Sequence, residues 1–184
     1  MTDPESNMIN QWPPMQIQPI GFVRSEIKKP MSTPDDSDSD PQERMKMVRE
    51  NYRKVKKLVS ALFIFPRWEE LLDGIEPFSH IMVIYWPHLI DPERRKIKKV
   101  HPMGRKDIPE QGIFATCSPA RPNPVLTSTV PLLERSKNIL KVKGLDAVDE
   151  SPIIDIKPFV KLSHGAENLT VPSWMEQLHR ELTT

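Results

Sequence analysis

Proline is the residue that most constrains how this chain can fold. The 184 residues include 20 prolines and only 6 glycines. Proline fixes φ, lacks a backbone N–H and disrupts helix interiors, so its abundance favours extended segments over long helices. Residues 80–86 (HIMVIYW) form a nearly continuous run of β-branched and aromatic residues, which is typical of a buried strand. We therefore predict a mainly β fold.

Further strand signals are spread along the chain between turn signals. The turn formed by Ser136, Lys137 and Asn138 separates two of them and predicts a hairpin. Five to seven short strands around one core predict a small β-barrel with peripheral helices. Besides 80–86, the predicted strands are a first strand within 16–27, which contains Gly21 and Ser25, and residues 61–65, 126–133, 139–145 and 153–156.

Two amphipathic patterns predict helices outside the barrel. Apolar residues spaced three and four apart from Met45 to Leu62 predict a basic helix over 42–62. A second pattern near the C-terminus predicts a short helix that contains Trp174 and Leu178. The predicted organisation is a flexible N-terminal arm (1–15), a barrel domain (16–160) with an acidic loop (30–41) and the basic helix, and a C-terminal tail (161–184).

The most distinctive loop is GIFATCSPARPNPVLTSTV, residues 112–130. An apolar, strand-like run at 112–115 leads into three prolines that are interleaved with Arg121 and Asn123. Proline also restricts the residue before it, so this proline loop is stiff before anything binds. Polar side chains on a stiff loop lose little entropy on binding and suit a ligand site. A rigid turn between two strands is an equally open interpretation.

Composition limits the class of protein. The single cysteine, Cys117, excludes an internal disulfide and a multi-cysteine metal site, and it fits a reducing compartment. The net charge of +1 gives no global field for nucleic acid or membrane. No segment approaches the roughly 20 apolar residues that span a bilayer, and the polar N-terminus is unlike a signal peptide. We expect a cytoplasmic protein with no membrane partner and no metal.

Several kinds of chemistry remain open at the level of single residues. The common phosphate-loop, dinucleotide and zincin motifs are absent from the sequence. Cys117 could act as a thiol nucleophile, whereas Asp146 and Asp149 could work as an acid–base pair, bind magnesium, accept hydrogen bonds from a ligand or simply cap a turn. His80 and His88 are more often structural. The basic helix and a second basic segment, 91–111, could face solvent or bind an anionic partner such as RNA.

Four segments form one ordered pattern: IGFVRS at 20–25, DGIEPFSHIMVIYWPH at 73–88, GIFATCSPARPNPVLTSTV at 112–130 and GLDAVDESPIIDIKPF at 144–159. Together they resemble the TrmO (TsaA-like) methyltransferase family. The F-S-H, R-P-N-P and D-I-K-P motifs together are highly specific, and the match spans about residues 16–160. The resemblance implies a homodimeric β-barrel enzyme without a Rossmann fold. Such an enzyme uses S-adenosylmethionine to methylate N6 of threonylcarbamoyl-adenosine at position 37 of tRNA.

The resemblance also implies site residues. Carboxylates suit the ribose hydroxyls, adenine amine and sulfonium of this cofactor, and a stiff loop suits in-line methyl transfer. Asp155 and Lys157 are candidate catalytic residues near the reacting amine, although a structural Lys–Asp pair is equally open. The implied cofactor-binding residues are Ser25, Ser79, His80, Cys117, Arg121, Asn123, Thr127, Leu145, Asp146, Ala147, Val148 and Asp149.

The sequence departs from the family pattern at three places. Cys117 stands where arginine is usual, which removes a fixed charge and a bidentate donor. Leu126 stands where glycine is usual, which limits close backbone approach, and Phe159 replaces tyrosine. These departures leave two alternatives open: a methyltransferase with a non-tRNA acceptor, and a non-catalytic module that binds S-adenosylmethionine.

Overall fold

Six antiparallel strands close into a barrel in the computed structural model of the chain, which describes residues 13, 15–30, 41–165 and 167–183. Most of the predicted arm (1–15) and acidic loop (30–41) lies outside the described residues. The barrel contains every strand except β4 and β5, in the order β1-β2-β7-β6-β3-β8. The strands are β1 (Gly21–Arg24), β2 (Val59–Ile64), β3 (His80–Tyr85), β4 (Lys99–Val100), β5 (Gln111–Gly112), β6 (Leu126–Ser136), β7 (Ile139–Lys143) and β8 (Pro152–Pro158).

The barrel confirms the predicted mainly β fold. Successive side chains of a strand point to opposite faces, so the alternating apolar residues of each strand fill one interior. In β3, for example, Ile81, Val83 and Tyr85 are buried while Met82 and Ile84 between them are only partly buried. The fully buried side chains of this core include Val23, Leu62, Ile81, Val83, Leu140, Val142 and Ile153.

The predicted helix over 42–62 is wrong at its C-terminal end. The helix α1 (Pro41–Lys57) stops at Lys57, and Val59–Ile64 is a barrel strand. Leu62 pairs with Val23 on one side and Leu140 on the other, and its side chain lies in the core. Hydrogen bonds to two neighbouring strands, together with burial, outweigh the local helical spacing, because propensity is weaker than tertiary context.

Proline marks the short helical turns that connect the strands. Three of the 3-10 helices, Pro66–Leu72, Pro92–Lys96 and Pro102–Gly104, begin at a proline, where its missing N–H costs nothing. The apolar run 112–115 is not a barrel strand, because Gln111–Gly112 pairs only with β4 and Ile113–Ala115 is a single 3-10 turn. The C-terminal tail contains α2 (Lys161–His164) and α3 (Ser173–Thr183). No helix within the described ranges is long and apolar enough to cross a membrane.

A second, smaller core joins α1 to α3. Met45 of α1, Ile108 and Leu178 of α3 are buried together, with Trp174 and Leu182 packed against them. This contact shows where part of the apolar face of α1 is covered.

Salt bridges from Arg105 stabilise this second core. Its guanidinium is 9% exposed and forms salt bridges with Asp107 and Glu181. The hydrogen bonds from Arg105 hold the pKa values of both carboxyl groups below their usual range. Arg49 Nε adds a bond to the Glu181 carbonyl at 2.8 Å. Residues 101–108 are therefore tied to both helices.

We expect Arg105→Met to lower the free energy of unfolding by about 1–2 kcal/mol at neutral pH, because Asp107 and Glu181 both lose their hydrogen-bond donor and solvent screens only the half-exposed Asp107 well. A carboxyl group with a lowered pKa in the folded state stabilises the fold above its unfolded pKa, near 4.5 for Glu181. That stabilisation is lost as the pH falls through the folded value. Urea unfolding of both proteins at neutral pH and near pH 3 measures the difference, which should shrink in acid. An equal difference at both pH values would contradict this assignment.

Candidate functional site

A cavity of about 230 Å³ lies at the end of the barrel where β3 finishes, and we call it the β3-end cavity. In an antiparallel barrel the C-terminal end of β3 lies beside the N-terminal ends of its neighbours, so Tyr85 pairs with Leu126 and Ile153. The segment after β3, the proline loop and the β7–β8 connection meet there. The cavity is lined by Pro30, Tyr85, Pro87, His88, Leu89, Ile90, Cys117, Pro119, Leu126, Asp146, Val148 and Ser151.

Asp146 carries the fixed negative charge of this cavity. The Tyr85 hydroxyl donates to Asp146 Oδ1 at 2.7 Å, and Ser128 Oγ donates to the same oxygen at 2.9 Å. Tyr85 is 3% exposed, and burial together with the nearby Asp146 charge raises the pKa of its hydroxyl far above the ordinary value. Tyr85 therefore stays protonated and donates throughout the physiological range.

The proline loop is held by local hydrogen bonds and two buried anchors. Ala120 is 1% exposed and Pro124 is fully buried, which fixes the loop on the barrel. The Ser118 N–H donates to Thr116 Oγ1 at 3.3 Å, and the Ala120 N–H donates to Ser118 Oγ at 3.2 Å. The loop presents Cys117 and Pro119 to the cavity, so its role is to form a wall rather than a simple turn.

Asp149 belongs to a different place, which we call the Asp149 cluster (Arg24, Ser25, Lys28 and Asp149). Asp149 accepts from the Ser25 N–H at 2.9 Å and from Lys28 Nζ at 2.7 Å, with Arg24 Nη1 at 3.7 Å. The hydrogen bond from Lys28, followed by that from Ser25, lowers the pKa of the Asp149 carboxyl group. The cluster borders a separate open depression of about 330 Å³ on the barrel wall. Asp149 thus ties the segment after β1 to the β7–β8 connection.

We expect Asp149→Ala to lower the free energy of unfolding by about 1–2 kcal/mol, because the largely buried carboxylate accepts a backbone N–H and a charged amine. Since its folded pKa is lowered, this contribution is present above about pH 4 and is lost as the pH falls further. Chemical denaturation across this range measures it. Glu150→Gln is the matched control, because the Glu150 side chain forms an exposed salt bridge with Arg24 and its substitution should change stability little. Equal effects of the two variants would contradict the structural role of Asp149.

Comparison with known proteins identifies the family of this chain. Residues 22–164 match the family model described as the tRNA-methyltransferase O N-terminal domain, TrmO_N. The chain belongs to the TrmO family. A "Probable S-adenosyl-L-methionine-binding protein" of Methanothermobacter thermautotrophicus is 40% identical over 145 residues, which are 79% of this chain and 90% of that protein.

More distant relatives are longer than this chain. The tRNA (adenine(37)-N6)-methyltransferase of Mus musculus is 27% identical over 164 residues, which cover 89% of this chain and 35% of the mouse protein. The crystal structure of TrmO from Pseudomonas aeruginosa shares the fold, with a TM-score of 0.59 and 22% identity. It covers 85% of this chain, and the aligned part is 61% of the crystallised protein. This chain therefore spans about three fifths of the length of that TrmO structure.

Only part of the cofactor set implied by the TrmO resemblance meets at the β3-end cavity. Cys117, Asp146 and Val148 line it, and Arg121 and Asn123 lie on the same proline loop. Leu145 and Ala147 are 0% and 1% exposed, so their side chains belong to the interior rather than to an open site. Ser25 is in the Asp149 cluster.

Two further groups predicted from the TrmO motifs lie elsewhere. Ser79 and His80 are at the opposite end of β3, roughly 16–20 Å from Tyr85 at about 3.3 Å per residue. Ser79 Oγ and His80 Nδ1 lie 3.0 Å apart and form a hydrogen bond. Thr127, Asp155 and Lys157 lie on the outer face of the barrel, where Thr127 and Asp155 both pair with Ile84. Lys157 Nζ is 2.6 Å from Asp155 Oδ2, so these two candidate catalytic residues form a salt bridge.

The cavity also contains residues that sequence reasoning did not assign to a site. Tyr85 was part of a predicted buried strand. Because a buried tyrosine hydroxyl needs a hydrogen-bond partner, its presence could have indicated a polar group near the end of that strand. Leu89 and Ile90 supply apolar walls and carry no local motif. His88, left open by the sequence, lines the cavity with its Nδ1 3.5 Å from Ser151 Oγ.

Proposed function

We propose that this chain is an S-adenosylmethionine-dependent methyltransferase that methylates N6 of (threonylcarbamoyl-)adenosine at position 37 of tRNA. The observation that carries the proposal is the composition of the β3-end cavity. Three of the four segments that resemble TrmO contribute to its walls: 73–88, 112–130 and 144–159. The names of two relatives, one S-adenosylmethionine-binding and one acting on adenine 37 of tRNA, support it.

The lining of the cavity suits the cofactor chemically. Asp146 offers a carboxylate oxygen to hydroxyl or amine hydrogens, while Leu89, Ile90 and Leu126 offer apolar surface to a purine ring. S-adenosylmethionine would supply an electrophilic methyl group to the acceptor nitrogen, and Asp146, Leu89 and Leu126 would hold it in the cavity. The proline loop, anchored at Ala120 and Pro124, keeps its wall of the cavity in place during this transfer.

The acceptor proposed is RNA because of the charge beside the cavity. Five of the six residues from 94 to 99 are Lys or Arg and none is acidic, although the whole chain has a net charge of only +1. Lys98 and Lys99 are exposed, and β4 pairs with β5 immediately before the proline loop. The guanidinium carbon of Arg95 lies 5.2 Å from the centroid of the ring of Trp86, which is the residue after Tyr85. This cationic edge can hold phosphates near the methyl donor.

We also propose that the working form is a homodimer. The β3-end cavity, at about 230 Å³, is smaller than the roughly 300–1,000 Å³ of typical small-molecule sites. Ser79 and His80 are too far away to complete it within one chain. A second copy could supply the missing walls. Size-exclusion chromatography with light scattering tests the dimer, and a monomer at micromolar concentration would contradict it.

The decisive experiment incubates the purified chain with labelled S-adenosylmethionine and total tRNA from cells that lack this protein, followed by nucleoside analysis. We expect label in N6-methylated threonylcarbamoyl-adenosine. Binding to the tRNA should weaken steeply with salt, because Lys and Arg contacts to phosphates release counterions. Absence of cofactor binding by calorimetry would overturn the proposal.

A non-catalytic module that binds S-adenosylmethionine is the second candidate. Cys117 and Leu126, two departures from the TrmO pattern, both line the cavity, so they alter the site itself. This candidate predicts cofactor binding with no labelled product in any cellular fraction. Label in a protein or small-molecule fraction, with no competition by tRNA, would instead indicate a non-tRNA acceptor.

A further inference from the structure

The two donors that hold Asp146 both act on one of its oxygens. Tyr85 and Ser128 donate to Oδ1, at 2.7 and 2.9 Å, and their own hydroxyl oxygens are 3.5 Å apart. Among the described residues, Oδ2 of Asp146 has no hydrogen-bond or ion-pair partner, and Asp146 itself is exposed at the cavity. The carboxylate is therefore fixed on one side and open on the other.

We propose that Tyr85 and Ser128 are positioning residues that orient Asp146 so that Oδ2 accepts a hydroxyl or amine hydrogen of the bound ligand. The identity of that ligand, S-adenosylmethionine, rests on the proposed function. The orientation of Asp146 by Tyr85 and Ser128 is independent of that function.

The position of the two donors in the barrel supports this role. Tyr85 is the last residue of β3, where its backbone pairs with β6 and β8 and its side chain is buried, so its ring has little freedom. Ser128 lies on β6 opposite Val83. Asp146, by contrast, is in the connection between β7 and β8, where the backbone is not in a strand. Two donors on rigid strands thus fix a carboxylate on a loop, which reduces the entropy it loses on binding.

Burial distinguishes this arrangement from an ordinary surface hydrogen bond. Tyr85 is 3% exposed, and its hydroxyl would be left without its strongest acceptor if Asp146 turned away. Leaving a buried donor unpaired is unfavourable, so a rotation of Asp146 away from Tyr85 would raise the free energy of the folded protein. Tyr85 therefore restrains the orientation of Asp146 more strongly than Ser128 does, because Ser128 is only partly buried.

A double-mutant cycle tests the inference. We expect Tyr85→Phe to weaken S-adenosylmethionine binding about tenfold in calorimetry, and Ser128→Ala to weaken it by a smaller factor of about three. In an Asp146→Ala background neither substitution should weaken it further, because both donors act through Asp146. Ser128→Thr, which keeps the hydroxyl, should bind nearly as tightly as the unmodified chain. Matched controls are Tyr52→Phe in α1 and Thr129→Val on the outer face of β6, and both should leave affinity unchanged.

The outcomes separate this inference from the proposed function. Single variants that bind like the unmodified chain, or a Tyr85→Phe loss that persists without Asp146, would overturn the positioning role and leave the methyltransferase proposal intact. If the unmodified chain does not bind S-adenosylmethionine, the proposed function fails, and a second readout decides the positioning role. That readout is a double-mutant cycle of Tyr85→Phe and Asp146→Ala in urea unfolding, where the two losses of stability should be non-additive because each substitution removes the same hydrogen bond. Additive losses would overturn the inference.

Discussion

Asp146→Asn is expected to weaken the binding of S-adenosylmethionine by about 10–100-fold and to reduce methyl transfer at limiting cofactor by a similar factor. The substitution removes the charge that faces the cavity but keeps an oxygen that Tyr85 and Ser128 can donate to. The fold should therefore survive, since Asp146 is exposed and its neighbours Leu145 and Ala147 still anchor the connection in the core. Calorimetry and initial rates measure the two effects.

Glu134→Gln is the matched control for this substitution. It also replaces a carboxylate by an amide, but Glu134 lies on β6 in an exposed salt bridge with Lys141. Its effect on affinity should be negligible. If Asp146→Asn binds as tightly as Glu134→Gln, Asp146 does not contact the ligand, and the cofactor must bind elsewhere on the barrel.

Gly21→Ala is expected to lower the free energy of unfolding by roughly 3–5 kcal/mol. A Cβ built on Gly21 would lie 2.1 Å from the Phe63 carbonyl oxygen and 2.9 Å from the Ile64 Cα. Both obstacles are backbone atoms of β2, so no side-chain rotation can relieve the clash. Because Gly21 pairs with Ile64 of β2 and Ile153 of β8, the strain falls where β1 closes the barrel.

Gly112→Ala provides the comparison. A Cβ at Gly112 meets no atom within 4 Å, so this substitution should change the free energy of unfolding by less than about 0.5 kcal/mol. Urea unfolding of both variants measures the contrast. Similar stabilities would show that β1 can move away from β2 without loss, and that the close approach at Gly21 is not required for closure.

Local patterns in the sequence were sufficient to predict the architecture. Alternating and continuous apolar runs predicted a small β-barrel, and the F-S-H, R-P-N-P and D-I-K-P motifs predicted the TrmO family, both of which are confirmed. The C-terminal helix with Trp174 and Leu178 was also correct, as Ser173–Thr183. These features depend on periodicity within one segment, or on residue identities in order, and the chain carries both directly.

An apolar spacing that fits both a helix and a strand could not be assigned from the sequence. Apolar residues spaced three and four apart run from Met45 to Leu62, but the helix ends at Lys57. Val59 and Leu62 continue the spacing by coincidence, because residues 59–64 gain their hydrogen bonds from β1 and β7. Those partners lie far away in sequence, so no local signal distinguishes the strand from one more helical turn.

The roles of the two aspartates were decided by tertiary structure alone. From the sequence, Asp146 and Asp149 are equivalent members of one turn. In the barrel, Asp146 meets Tyr85, 61 residues earlier, at the cavity, whereas Asp149 meets Ser25, 124 residues earlier, in the Asp149 cluster. The sequence by itself determined most of the barrel strands, which loop is stiff and which family the chain resembles. Only the closure of the barrel decided which polar side chains share a site. It brings together strands that are far apart in sequence, and no local sequence pattern predicts which of them will be neighbours.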